Sequence, residues 1–147
     1  MIKVDQTITE RGKGNCMQAA LSSLFHTDMD KTINIIDHID SGWQIPFMCW
    51  IASIGYEYDG VYTAFVDMDK TKENLKDSPS VSGYLLAAVP SKNHNGVSHA
   101  VIINNNGLVV HDPHPKMGWL GVNVVESGEI SYWYLFSEAN NDKSSND

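Results

Sequence analysis

The stretch Gly14-Asn15-Cys16-Met17-Gln18-Ala19-Ala20-Leu21-Ser22-Ser23-Leu24-Phe25 decides the fold. Residues 16–25 carry no charge, and Met17, Ala19, Ala20, Leu21, Leu24 and Phe25 fall on almost every side of a helical period. A helix that is apolar all round belongs in the middle of a domain, not on its surface. The small residues Ala19, Ala20, Ser22 and Ser23 let such a helix approach a sheet closely. Asn15 is a good N-cap, which sets Cys16 at the first helical position. The sequence therefore predicts one thiol at the N-terminus of a central helix. There, unpaired N–H groups and the helix dipole favour a thiolate.

Outward from this helix, residues 1–13 read as an irregular lead-in broken at Gly12-Lys13-Gly14. On the other side, Thr27 or Asp28 is expected to cap a second helix through Ile33, Ile36 and Ile39, ended by Ser41-Gly42. A third helix is expected from about Gln44 to Ile54, with Pro46 in its first turn and Gly55 as its stop. Cys49, beside Trp50 in this helix, reads as a small core residue. Tyr56 to Phe65 reads as a short strand or an extended loop, and Asp67 to Ser80 as a helix or a loop.

The β signal follows. Strands are expected at Tyr84 to Val89, Val97 to Asn104, Leu108 to Asp112, Leu120 to Val125 and Ile130 to Phe136. Asn106-Gly107 marks a tight hairpin between the second and third of these. Helices first and an antiparallel meander afterwards make an α+β fold, with the helix of Cys16 packed on the C-terminal sheet. One domain over residues 1–138 fits the chain of 147 residues. Residues 139–147 are polar and read as a disordered tail.

The charge balance narrows the function. Ten Lys and Arg stand against eighteen Asp and Glu, net −8. The one basic cluster, Arg11 with Lys13, is too small a footprint for nucleic acid or an anionic membrane. No apolar run approaches the ~20 residues of a membrane span. The start of the chain lacks the apolar centre of a signal peptide, so a cytoplasmic location is expected. Cys16 and Cys49 are then expected as free thiols.

Three further residues bear on Cys16. His99 lies in the apolar strand Ser98-His99-Ala100-Val101-Ile102, and that strand packed on the helix of Cys16 would set a base beside the nucleophile. The hairpin turn centres near Asn105-Asn106, so paired residues have numbers summing to about 211 and Asp112 falls opposite His99. A carboxylate there can hold the imidazole tautomer. Gln6, upstream, is a candidate side-chain donor to an oxyanion, alongside the Cys16 N–H. Against this stand plainer readings: a free cysteine is commonly a small buried hydrophobe, a strand histidine a satisfied core residue, and Asp112 the start of a turn with Pro113.

The motifs Gly14-Asn15-Cys16-Met17-Gln18-Ala19-Ala20-Leu21, Ser98-His99-Ala100-Val101 and His111-Asp112-Pro113 resemble papain-like cysteine peptidases. The likeness is to small bacterial and phage-encoded members, and to the bacteriocin-leader-processing peptidase domains of export transporters. The resemblance covers roughly residues 5–26 and 83–115. It implies a papain-like fold and an oxyanion glutamine, nucleophile, base and orienter at Gln6, Cys16, His99 and Asp112. It further implies a cysteine peptidase or amide hydrolase working through a covalent acyl-enzyme on a peptide or protein substrate. Asn15, His114 and Trp119 are the candidate substrate-binding residues, with Trp119 as an aromatic wall. The segment His111-Asp112-Pro113-His114-Pro115 lacks the paired CxxC or HExxH spacing of a metal site, so neither metal nor cofactor is expected. The chain is short for such a peptidase, which keeps a second function in view: a non-catalytic peptide- or protein-binding module on the same scaffold.

Overall fold

The structure, a computed structural model, describes residues 1–64 and 67–139. Phe65 and residues 140–147 of the expected tail lie outside the described residues. Ala139 is no part of a loose end: its N–H donates to the Gly55 carbonyl at 2.9 Å.

Helix α1 spans Cys16–Phe25 and buries Met17, Ala19, Ala20, Leu21, Ser22, Ser23 and Leu24. Its two buried serines are satisfied inside the helix, Ser22 Oγ donating to the Gln18 carbonyl at 2.8 Å and Ser23 Oγ to that of Ala19 at 3.0 Å. That arrangement lets polar side chains sit in a core without a desolvation penalty. His26 ends the helix in the left-handed region, at φ 55°.

The second helix expected through Ile39 is absent. Two short 3-10 turns, Met29–Lys31 and Ile35–His38, take its place. Asn34 breaks the run, its side chain accepting from the Ile36 N–H at 3.3 Å, an alternative to helical bonding. Helix α2 spans Gln44–Ser53 and buries only Phe47 and Ile51. Cys49 is exposed on it, not buried as expected. Phe47 and Ile51, four apart on one face, reach the core, and Cys49, two positions from each, points away from it.

Strand β1 covers Tyr56–Thr63, and helix α3 covers Met68–Asp77. Asp67 caps α3 by accepting from the N–H groups of Asp69 and Lys70. Strands β2 (Tyr84–Pro90), β3 (Ser98–Asn104), β4 (Val109–His111) and β5 (Tyr132–Glu138) complete the sheet. The order is β1-β5-β2-β3-β4, with every pairing antiparallel. The meander expectation holds for β2-β3-β4 alone, because β5 returns to lie between β1 and β2.

Leu120 to Val125 forms turns rather than a strand. Gly121 has φ +81°, and the Gly121 N–H donates to Val109 and the Val124 N–H to Gly107. The segment thus folds over the hairpin edge and buries Val124 and Val125. Gly107, at φ +89°, is required on two counts. The turn needs its backbone conformation, and a Cβ there would meet Val125 Cγ2 at 2.6 Å.

The sheet separates two cores. On one face α1 packs with Phe47 against Leu86, Ala100, Ile102, Tyr134 and Phe136. On the other, Leu75 of α3 and the turn segment cover Val89, Val101, Ile103 and Trp133. Full burial of each such side chain stabilises by roughly 1.5–3 kcal/mol before conformational entropy is charged against it.

Candidate active site

Cys16 stands at the tip of α1, half-buried, and is a free thiol. Strand β4 pairs with β3 only at Ile102 and Ile103. The start of β3 therefore has an open edge on that side. The backbone N–H groups of Ala100 and Met17 favour the charged form of the Cys16 sulfur. Cys16 packs against the core cluster that includes Ala100 and Ile102, and it lines one cavity with the start of β3. His99 lines the same cavity as Cys16, although Ala100 and Ile102, not Val101 and Ile103, face α1.

His99 Nε2 lies 2.6 Å from Asp112 Oδ1. With Nε2 engaged, Nδ1 is the ring nitrogen left for the thiol. Asp112 is itself held by two backbone donors, His114 N–H to Oδ1 at 3.0 Å and Trp119 N–H to Oδ2 at 2.9 Å. The hairpin register differs slightly from the expected one. Ile102 pairs with His111 and Ile103 with Val109, across an irregularity. Asp112 lies just past the end of β4 and still reaches His99.

The electrostatics follow from this packing. Burial raises the Cys16 thiol's pKa, but the hydrogen bond and charge of His99, with the two backbone donors, outweigh it and leave the thiol below its ordinary value. Burial acts to lower His99. The bond to Asp112 and the bond to and charge of Cys16 overcome it, moving the imidazole from 6.5 to about 9. Burial raises Asp112, and the His99 bond with the Trp119 and His114 N–H groups brings it below the usual carboxylate range. The imidazole is held protonated at neutral pH, and the thiol beside it in the cavity is shifted toward its charged form.

A cavity of about 200 Å³ opens beside the thiol. Ala88 and Ala100 line it on the sheet side, with Tyr132, Tyr134, Ile35 and Met17 around them. Tyr134 is buried and its phenol is pushed far above the ordinary range, by burial first and then by Tyr132. It stays a neutral donor at any working pH.

The other expected residues divide. Gln6 lines the cavity and is buried. Its Nε2 donates to the Ile8 carbonyl at 2.8 Å, and its Oε1 has no partner. One N–H of the amide is therefore committed away from an oxyanion, and one remains. His114 also lines the cavity. Its Nδ1 accepts from the Lys116 N–H at 3.0 Å, and burial and then the His99 charge lower its pKa.

Asn15 and Trp119 are corrections. Asn15 makes no side-chain cap bond. Its Oδ1 accepts from the Thr7 and Ile8 N–H groups and its Nδ2 donates to Thr7 Oγ1 and Gln18 Oε1, so it pins the lead-in. Trp119 is buried behind Asp112 and outside the cavity lining, with Nε1 donating to the Pro90 carbonyl and Lys92 Nζ 4.3 Å over its ring. Its contribution is its backbone N–H, not an aromatic wall. His94 also lines the cavity, and its Nε2 lies 2.9 Å from the Thr9 carbonyl.

Sequence reasoning missed the backbone donors to Asp112 and the tyrosines of the cavity. The Pro113 and Pro115 that stiffen the first, and the alternation of Tyr132 and Tyr134 along one strand, were the available signals.

Among the described residues, no group of three or more His, Cys, Asp or Glu is placed to hold a metal ion. None of the helices described is long and apolar enough to cross a membrane. Comparison with protein-family models, with curated proteins and with solved structures gives no match.

Proposed function

We propose that this protein is a cysteine hydrolase of papain-like architecture, a peptidase or amidase, that works on a peptide or protein through a Cys16–His99–Asp112 triad. The observation that carries the reading is His99, held by Asp112 at 2.6 Å on one ring nitrogen and lining one cavity with the thiol of Cys16.

The chemistry follows from those positions. The Cys16 thiolate attacks a carbonyl carbon, forming the S–C bond, and the carbonyl electrons move to oxygen. The Cys16 N–H and the remaining N–H of Gln6 are the donors available to that oxyanion. The His99 imidazolium gives its proton to the departing amine as the C–N bond breaks. His99, now neutral, takes a proton from water as its oxygen attacks the thioester; the C–S bond breaks, the acid leaves, and the thiolate and imidazolium are restored. Asp112 keeps the ring oriented throughout. A cytoplasmic setting is part of the same proposal, since a free reactive thiol suits a reducing compartment.

The committed bond between Gln6 Nε2 and Ile8 favours one rival, a cleft that binds a peptide without cutting it. Alkylation of Cys16 by iodoacetamide as a function of pH, read by mass spectrometry with Cys49 as internal reference, separates the two. The expected result is reaction of Cys16 well below the ~8.5 pKa of a free thiol, lost in His99→Ala. Identical titration of the two cysteines would remove the hydrolase reading and leave the binding module.

A further inference from the structure

The chain has one arginine among its 147 residues, Arg11, and it lines the cavity beside Cys16. Its placement is built. The Lys13 N–H donates to the Glu10 carbonyl at 3.0 Å, closing a tight turn with Arg11 and Gly12 at its centre. Gly12 has φ +75°, a conformation glycine adopts at no steric cost. The Asn15 N–H closes the base of the loop on Ile8, and the Asn15 side chain fixes Thr7 and Ile8 from inside. On the far side, His94 ties Thr9 to the loop before β3.

Charge makes the placement meaningful. The protein as a whole is acidic, net −8. In the lining of this cavity Arg11 is the one residue of fixed positive charge. Glu10 is the one acid in its lining, and it pairs with Lys13 at 3.7 Å. Arg11 makes no ion pair among the described residues. His99 is engaged by Asp112, so the always-charged guanidinium of Arg11, unpaired among the described residues, is the charge in this lining left to attract an anion. The guanidinium fork matches a carboxylate in particular.

We propose that Arg11 holds a carboxylate of the substrate at the mouth of the cleft, so that the preferred substrates are peptides with an acidic group close to the attacked carbonyl. This rests on the hydrolase reading above. The carboxylate comes either from an Asp or Glu side chain or from a free C-terminus. The apolar cavity over Ala88 and Ala100 takes a neighbouring side chain. Arg11 selects substrate and takes no part in the bond changes.

Two alkylating reagents of nearly equal size test this on the full chain. Iodoacetate carries the carboxylate, and iodoacetamide is its neutral counterpart. The ratio of their rates at Cys16, divided by the same ratio at Cys49, is expected to exceed one and to fall as salt is added. Arg11→Gln is expected to lower it by about two- to fivefold, the size of an exposed ion pair, and Arg11→Lys to restore part of the loss.

Three peptides of one apolar sequence then locate the source, by protection of Cys16 against iodoacetamide. One ends in a free carboxylate, one in an amide, and one in an amide with an internal Asp. Arg11-dependent protection by the first assigns the anion to a chain terminus, and by the third to a side chain. A reagent ratio indifferent to Arg11, or protection that survives Arg11→Gln, overturns the proposal. The hydrolase reading fails separately, through an iodoacetamide profile of Cys16 that matches that of Cys49.

Discussion

Helices α1 and α2 are each ten residues long, each carries one cysteine, and neither contains a charge. Their fates are opposite. Seven residues of α1 are buried, against two of α2, and α2 leaves Ile45 and Met48 74% and 50% exposed. Cys16 lies where a helix tip, a strand edge and an imidazole converge. Cys49 lies on the outer face of a helix that touches the core through Phe47 and Ile51. Composition alone does not separate these thiols. Their surroundings do, because only the first set of neighbours stabilises negative charge on sulfur.

The strongest way to break the comparison is to delete each sulfur. Cys16→Ala is expected to reduce hydrolysis by about a thousandfold or more, since a covalent mechanism loses its nucleophile. Cys49→Ala is expected to leave it unchanged. An assay on a peptide library, read as kcat/KM, checks both, and equal losses would end the argument. The next contrast is structural. Leu21→Ala in α1 opens a cavity under the sheet and is expected to cost about 2–5 kcal/mol in denaturant unfolding. Met48→Ala on the outer face of α2 is expected to stay within about 0.5 kcal/mol.

A smaller effect sharpens the account of His99. Its folded pKa of about 9 lies above its ordinary 6.5, so its contribution to stability is complete below pH 6.5 and is lost as pH rises through 9. Asp112 is depressed, so its contribution is complete above the ordinary carboxylate range and is lost as pH falls through its lowered value. The stability difference between wild type and His99→Ala is therefore expected to shrink between pH 6.5 and 9.5, by up to about 3 kcal/mol at 1.36 per unit. Unfolding midpoints at the two pH values measure it. A difference that grows with pH would contradict the sign.

These elements also show where the sequence could be read. Helix α1 was legible because its apolar residues leave no polar face. Contact between His99 and Asp112 was legible because Asn106-Gly107 fixes a hairpin within fifteen residues, close enough to survive a small error in register. The insertion of β5 between β1 and β2 was not, since pairing across some seventy residues leaves no local trace. Leu120 to Val125 misled for a related reason. Its valines are buried by turns folding over Gly107, and a turn can hide a side chain as well as a strand can. Cys49 misled because the spacing of Phe47 and Ile51 was read together with its neighbours as one apolar helix, without asking which face had anything to pack on.

The place of β5 also sets a timetable. Cys16 leaves the ribosome early, His99 and Asp112 much later, and the strand that joins β1 to the rest of the sheet comes after all three. Domains consolidate as units once their long-range pairings are available. Cys16 therefore spends most of synthesis without His99 and without the tyrosines of its cavity. A half-made chain, or one cut short before residue 132, lacks Tyr132 and Tyr134 around Cys16, so the surroundings that set this thiol apart from Cys49 are complete only when the last strand has closed the sheet.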